Sequence, residues 1–384
     1  MKKIIQFFAC AILLLAVPPS FGGEPSQKGK LPLVSVLNVQ TNQKISEGYT
    51  MQLRMTAQPE VKKIEIWVNG QMVGQADFNL SQKQYRFLYT FRNSGDYDLK
   101  IIAISEQDSY TKTLHLEVVP ALELKSEVGF DSYILKAVEQ LYKEYGWRGY
   151  NIHEELTHNV PYGSYGHLPS SNGRQTMCVA GVLETIVTAM NIYANETGET
   201  AVFDFLPFDS WRWLRNDTIK AHIWVDEAGL ASYGTADAVA KFGMGEHVSF
   251  RDLEPGMFMN LNYDDGGGHA VVFMNFLDST GNDLLNYDAD KVKGFRYFGA
   301  QGQAEVGKGG FGFRHAFFHD GICPETPYPQ DCRILFSESQ KVLNTGKILA
   351  PSEWRQPDIK INKNAPKRDT LRFSLKKFKA KHWD

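Results

Sequence analysis

The sequence predicts two folded parts in series: an all-β sandwich, then an α+β domain. An apolar leader precedes them and a basic tail follows. Three observations predict this. Between residues 32 and 119, apolar side chains alternate with polar ones in short runs, the period of strands with one wet face. From Cys178 onward the period changes. Val179, Val182, Leu183, Ile186, Met190 and Tyr193 recur at three- and four-residue steps, as on a helix with a buried side. A chain of 384 residues also exceeds what one hydrophobic core usually organises. Its composition, 43% hydrophobic and 22% charged, is that of an ordinary globular protein.

Taken in order, residues 1–23 read as a signal peptide. Lys2 and Lys3 precede an apolar run from Ile4 to Val17, and Pro18 to Gly23 supplies a breaker and small residues for cleavage. That run is short for a membrane span, and no other stretch is long enough. The chain is therefore expected to be exported, periplasmic or secreted, and not transmembrane once the signal is removed. Removal takes two lysines and no acid, so the formal charge moves from -3 to -5. This balance argues against nucleic acid as a partner. The tail, taken as residues 341–384, is the exception: from 360 to 384 it has nine Lys or Arg against two Asp. It is suited to a solvated terminus or to contact with an anionic cell-envelope polymer.

Residues 31–120 carry the sandwich. Met51, Leu53 and Met55 alternate with polar neighbours, as do Ile64, Ile66 and Val68, then Tyr85 to Phe91, Tyr97 to Ile101, and Leu114 to Val118. Asn69-Gly70 marks a tight hairpin turn. About seven short strands in such a length suggest an immunoglobulin-like arrangement. The second domain spans residues 126–340. Asp131 or Ser132 is expected to cap a helix closed by Gly146. His153 and His158 resemble a zinc-protease pair but stand five apart rather than four, so they diverge around a helix. No metal or cofactor is expected. Cys323 and Cys332 flank a turn-rich loop and are expected to pair in an oxidising compartment. That leaves Cys178 unpaired in an exported chain, which calls for a reason.

Cys178 lies where the polar loop Asn172-Gly173-Arg174-Gln175 runs into the apolar helix, and a helix N-terminus favours thiolate over thiol. Downstream, Asp264 to Gly268 delivers the chain to His269, which opens the apolar strand His269–Phe276. A turn at 278–283 and a return strand from Leu284 to Asp288 bring Asn286 or Asp288 beside His269. A thiolate that attacks a carbonyl, an imidazole that moves the proton and a polar group that orients the imidazole are the parts of nucleophilic thiol chemistry. The Cys178 amide supplies one oxyanion donor, with Gln175 or Asn172 as a second.

Pro161-Tyr162, Cys178, Leu253-Glu254-Pro255-Gly256 and Gly268-His269-Ala270-Val271-Val272 occur in an order that resembles the papain-like superfamily, especially NlpC-like and CHAP-type cell-wall hydrolases. The resemblance covers about residues 150–320. It implies a papain-like α+β fold and cleavage of peptide or amide bonds in peptidoglycan. Cys178 would be the nucleophile, His269 the general base and acid, Asn286 the orienting residue and Tyr162 part of the substrate site. The family's Asp-Cys-Ser-Gly is Met177-Cys178-Val179-Ala180 here. A non-catalytic binding protein and a transglutaminase-like acyltransferase are the competing functional classes.

Overall fold

The computed structural model describes residues 33–80, 82–120, 129–154, 156–170, 173–204, 234–262, 268–318 and 323–355. The leader, Asn172, most of the glycine loop before His269 and the basic tail lie outside the described residues. The first unit consists of two sheets around one core. One is ordered β1 (Val34–Val36), β3 (Thr50–Ala57), β7 (Gln84–Thr90), β6 (Asp77–Asn79). The other is ordered β2 (Gln43–Ser46), β9 (Ser109–Val119), β8 (Gly95–Ile104), β4 (Lys63–Val68), β5 (Gln71–Gln75). The inward residues of the alternating runs, Met51, Leu53, Met55, Ile64, Ile66, Leu99 and Ile101, are all fully buried. Asn69 and Gly70 both take positive φ, 47° and 79°, the backbone of a tight turn whose twist matches its strands.

The second unit is not the α+β papain-like domain expected from the sequence. It is organised by an eight-stranded sheet, and among the described residues the chain has nineteen strands against three α-helices. The sheet runs β12 (Gly245–His247), β19 (Asn344–Ile348), β13 (Phe258–Asn262), β14 (Gly268–Leu277), β16 (Gly294–Gly302), β17 (Gly309–Phe318), β18 (Gln330–Ile334), with β15 (Asp283–Leu284) paired to the end of β14. The strand content escapes a periodicity reading for a physical reason. Nearly every residue of β16 and β17 is buried, so these strands run as unbroken apolar and glycine-rich stretches with no wet face to mark alternation.

The helices are α1 (Asp131–Tyr145), α2 (Cys178–Thr197) and α3 (Thr235–Lys241). Phe130, not Asp131 or Ser132, is the N-cap of α1, and no side chain caps it. The whole first half of α2, from Cys178 to Met190, is buried. It is apolar and long enough to cross a membrane, but 78% of its apolar window is buried inside the protein, as in a core helix. Gly198 ends it with a left-handed backbone, φ 79°. α1 and α2 share a core cluster with Ala270, Val272, Met274, Phe298, Ala300 and Phe311, the side chains of one sheet face. Met259, Val271, Phe273, Phe295 and Tyr297 pack on the other face.

Candidate active site

Cys178 is the first residue of α2 and is buried, 8% exposed. The backbone amides of Ala270, Val179 and Cys178 itself and the Tyr150 hydroxyl all favour the ionised form of the sulfur. Two of those donors are amides of the first helical turn, which have no partner within the helix. The third comes from β14. Burial outweighs all four donors and pushes the thiol above its ordinary range. The resting group is a neutral thiol. Tyr150 is likewise pushed up, by burial first and then by the adjoining sulfur, so it stays a hydrogen-bond donor at every physiological pH.

The Ala270 amide belongs to the residue next to His269. The strand thus delivers His269 to the immediate neighbourhood of Cys178, but the pleat turns its side chain to the other face. Ala270, Val272 and Met274 pack in the Cys178 cluster, whereas the His269 ring lies edge-on against Tyr297, with centroids 5.7 Å apart. No hydrogen bond joins the two side chains among the described residues. The imidazole is buried, and its Nε2 has no partner. Burial and then the nearby Arg314 cation lower the His269 pKa to about 3, against a smaller opposing effect of Asp331. The ring is therefore neutral and proton-accepting near neutral pH.

The expected third residue is elsewhere. The return strand is only Asp283–Leu284, paired with Leu277 and Phe276 at the far end of β14. Asn286 is exposed in a bend beyond it, and Asp288 is tied to Lys291 at 2.8 Å. At about 3.3 Å per residue, the length of β14 separates that end from His269 by some 25 Å. The hairpin expected around Asn286 is replaced by the pairing of β14 with β16, in which Val272 faces Phe298. Continuing that register brings Gln301 opposite His269. The Tyr297 hydroxyl donates to Gln301 Oε1 at 2.6 Å, and Arg314 donates to the Gln301 carbonyl at 2.7 Å. Tyr150, Tyr297, Gln301 and Arg314 are the polar residues of this neighbourhood that sequence reasoning misses.

Gln175 is half-buried, and its amide donates to the Ala304 carbonyl at 2.5 Å, which ties the loop before Cys178 to the 303–308 segment. Tyr150 is held by the same segment through its amide and the Gln303 carbonyl, 2.8 Å apart. Tyr162 is fully buried against Phe203, with ring centroids 5.2 Å apart, and is a core residue rather than part of an open substrate site. His158 gives its Nδ1 to the fully buried Glu184 at 2.7 Å and stacks on Tyr145 at 4.2 Å. Thr157 donates its amide and hydroxyl to the same carboxylate. This pair fastens the 156–161 segment to α2, and His153 stands apart on the surface.

No protein-family profile and no curated protein matches the chain. Among solved structures it is similar in part to an endo-beta-1,4-mannanase from Thermotoga petrophila, at 12% identity and a TM-score of 0.22. That match covers 25% of this chain and 21% of the mannanase, so the chain spans about a fifth of that protein's length. It is similar also to fibronectin(III)-like modules of Clostridium thermocellum CbhA, at 16% identity over 23% of this chain and 98% of that one, with a TM-score of 0.20. The titin M3 domain gives 13% identity over 22% of this chain and 95% of that one, with a TM-score of 0.19. Similarity at this level assigns neither a fold nor an activity.

Proposed function

We propose that the chain is an exported cysteine hydrolase that cleaves peptide or amide bonds, with peptidoglycan as its substrate class and Cys178 as its nucleophile. One observation carries the reading: an unpaired cysteine at the start of a buried helix, where three backbone amides and a tyrosine hydroxyl favour its ionised form. Donors that converge on a neutral sulfur gain most when it becomes an anion, and the same donors suit the oxyanion of a tetrahedral intermediate. His269 is the base. Its neutral ring takes the thiol proton and returns it to the leaving amine. The pleat holds the ring on the face opposite the sulfur, so this transfer requires the backbone at the start of β14 to rotate, and the absence of a partner on Nε2 leaves no hydrogen bond at that nitrogen to break. Export is supported by the leader, and the substrate class by the order of the sequence motifs.

The second reading is a binding protein with no catalysis. The burial of Cys178 favours it, since burial alone raises the thiol out of the reactive range. Purified peptidoglycan incubated with the mature full-length chain separates the two. The hydrolase releases new amino groups, and Cys178→Ala or His269→Ala abolishes the release while the far-UV spectrum is kept. The catalytic thiol also reacts with iodoacetamide in the native protein, whereas a buried structural thiol reacts only in denaturant. Native labelling absent and both variants at wild-type activity would overturn the proposal.

A further inference from the structure

A groove of about 330 Å³ runs between the outer face of the sandwich and the 303–308 segment of the second unit. Arg86 on β7, the half-exposed Phe78 and the exposed Val306 line it together with Gln52, Gln75 and Gln303, and so do Asp77 and Lys308, which pair with each other. The charges around Arg86 are committed elsewhere. Across the sheet its neighbours are Arg54 and Asp77. Arg54 is paired with Glu325, while Asp77 and Glu305 both bind Lys308, at 2.9 and 3.0 Å. Arg86 has no carboxylate partner among the described residues, and its Nε is buried without a hydrogen bond. A half-buried guanidinium left in that state lacks the planar acceptor pair that its geometry matches. Burial alone lowers its pKa, with no acid acting on it.

We propose that this groove binds an acidic peptide, whose carboxylate is held by Arg86. The glutamine carboxamides suit the backbone of such a ligand, because each presents the donor and acceptor that a peptide bond presents. Phe78 and Val306 offer apolar cover to its side chains. The 303–304 backbone links the groove to the surroundings of the thiol. The lining residue Gln303 holds the Tyr150 amide, and the next residue, Ala304, holds Gln175, both beside Cys178. The direction of the bound peptide, toward Cys178, rests on the reading of that residue as the nucleophile; the binding itself does not.

The test measures binding to the full mature chain carrying Cys178→Ala, so that no turnover intervenes. The probes are fluorescein-labelled tetraglutamate, its tetraglutamine counterpart and unlabelled chitotetraose as competitor. Tetraglutamate is expected to bind about tenfold more tightly than tetraglutamine, and Arg86→Gln to remove that preference. Val306→Asp, at a 74% exposed position, puts a like charge in the groove lining and is expected to weaken tetraglutamate alone, which keeps the test valid should Arg86→Gln fail to fold. Equal affinities for the two peptides, or an Arg86→Gln variant with the preference intact, would overturn the inference. Displacement by chitotetraose but not by free tetraglutamate would make the groove a saccharide site and overturn it as well. Either result leaves the peptidoglycan assay of Cys178 untouched.

Discussion

At Cys178 two effects oppose each other on one proton. Burial disfavours the charged sulfur, and four hydrogen-bond donors favour it. Burial prevails at rest, so ionisation of the thiol has to be matched by stronger hydrogen bonds to the anion. Tyr150 is the donor whose removal changes least else. Tyr150→Phe keeps the ring and the backbone bond to Gln303, and is expected to lower kcat on peptidoglycan about 100-fold with KM nearly unchanged. Asn286→Ala, in an exposed bend at the far end of β14, is expected to leave both constants within about twofold. Steady-state kinetics on the two variants checks both halves. The sequence makes Cys178 legible because a polar loop and an apolar period meet there. It makes the His269 strand legible because glycines precede an unbroken apolar run. It does not make legible which face the imidazole takes. That depends on the pleat relative to β16, a strand whose full burial erases its own period.

At the scale of elements, the start of α1 is less stable than its helical period suggests. Asp131 is 2% exposed, its Oδ1 has no partner, and no side chain caps the helix. Burial, then the like charge of Glu254, raises its pKa from 3.8 to about 7, against a smaller pull from Lys347. A carboxyl whose pKa is raised on folding favours the native state while it is protonated, and that contribution is lost as pH rises through about 7. Asp131→Asn mimics the protonated form. It is expected to stabilise the protein by about 2 kcal/mol near pH 8 and to make no difference near pH 4, the helix end itself offsetting part of the full shift. His269 acts in the opposite sense over an overlapping window. Its pKa falls from 6.5 to about 3, so the native state loses stability as pH falls through that range. The wild-type profile alone blends the two. Urea titrations of wild type and Asp131→Asn at each pH isolate the carboxyl, and a constant difference across the range would refute its assignment.

At the scale of the molecule, the two units are joined by a buried cation. Arg296, on β16, lies 4.3 Å from the centroid of the Tyr49 ring of the sandwich and 5.4 Å from that of Tyr328, and binds Asp283 at 2.7 Å. Tyr49 also meets Phe313 edge-on at 4.6 Å. The loop closed by the Cys323–Cys332 disulfide adds further contacts to the sandwich. Within it, Thr326 and Pro327 take hydrogen bonds from Asn38 and from the Gln52 amide, and the Tyr328 hydroxyl takes one from the Ser46 amide. Arg296 and Asp283 are therefore shielded from water in part by a residue of the other unit. Removing that residue exposes a pair whose attraction depends on being dry, and leaves a void beside Phe313. Tyr49→Ala is expected to cost about 3 kcal/mol, and to do so unevenly. The sandwich keeps its own core of Met51, Leu53, Ile64 and Leu99, so it can stay folded when the junction opens. Wild type should unfold in a single calorimetric transition, and Tyr49→Ala in two, with the lower one shifting as salt screens the exposed pair. A single transition in the variant with the wild-type midpoint would mean that the junction contributes nothing to holding the units together.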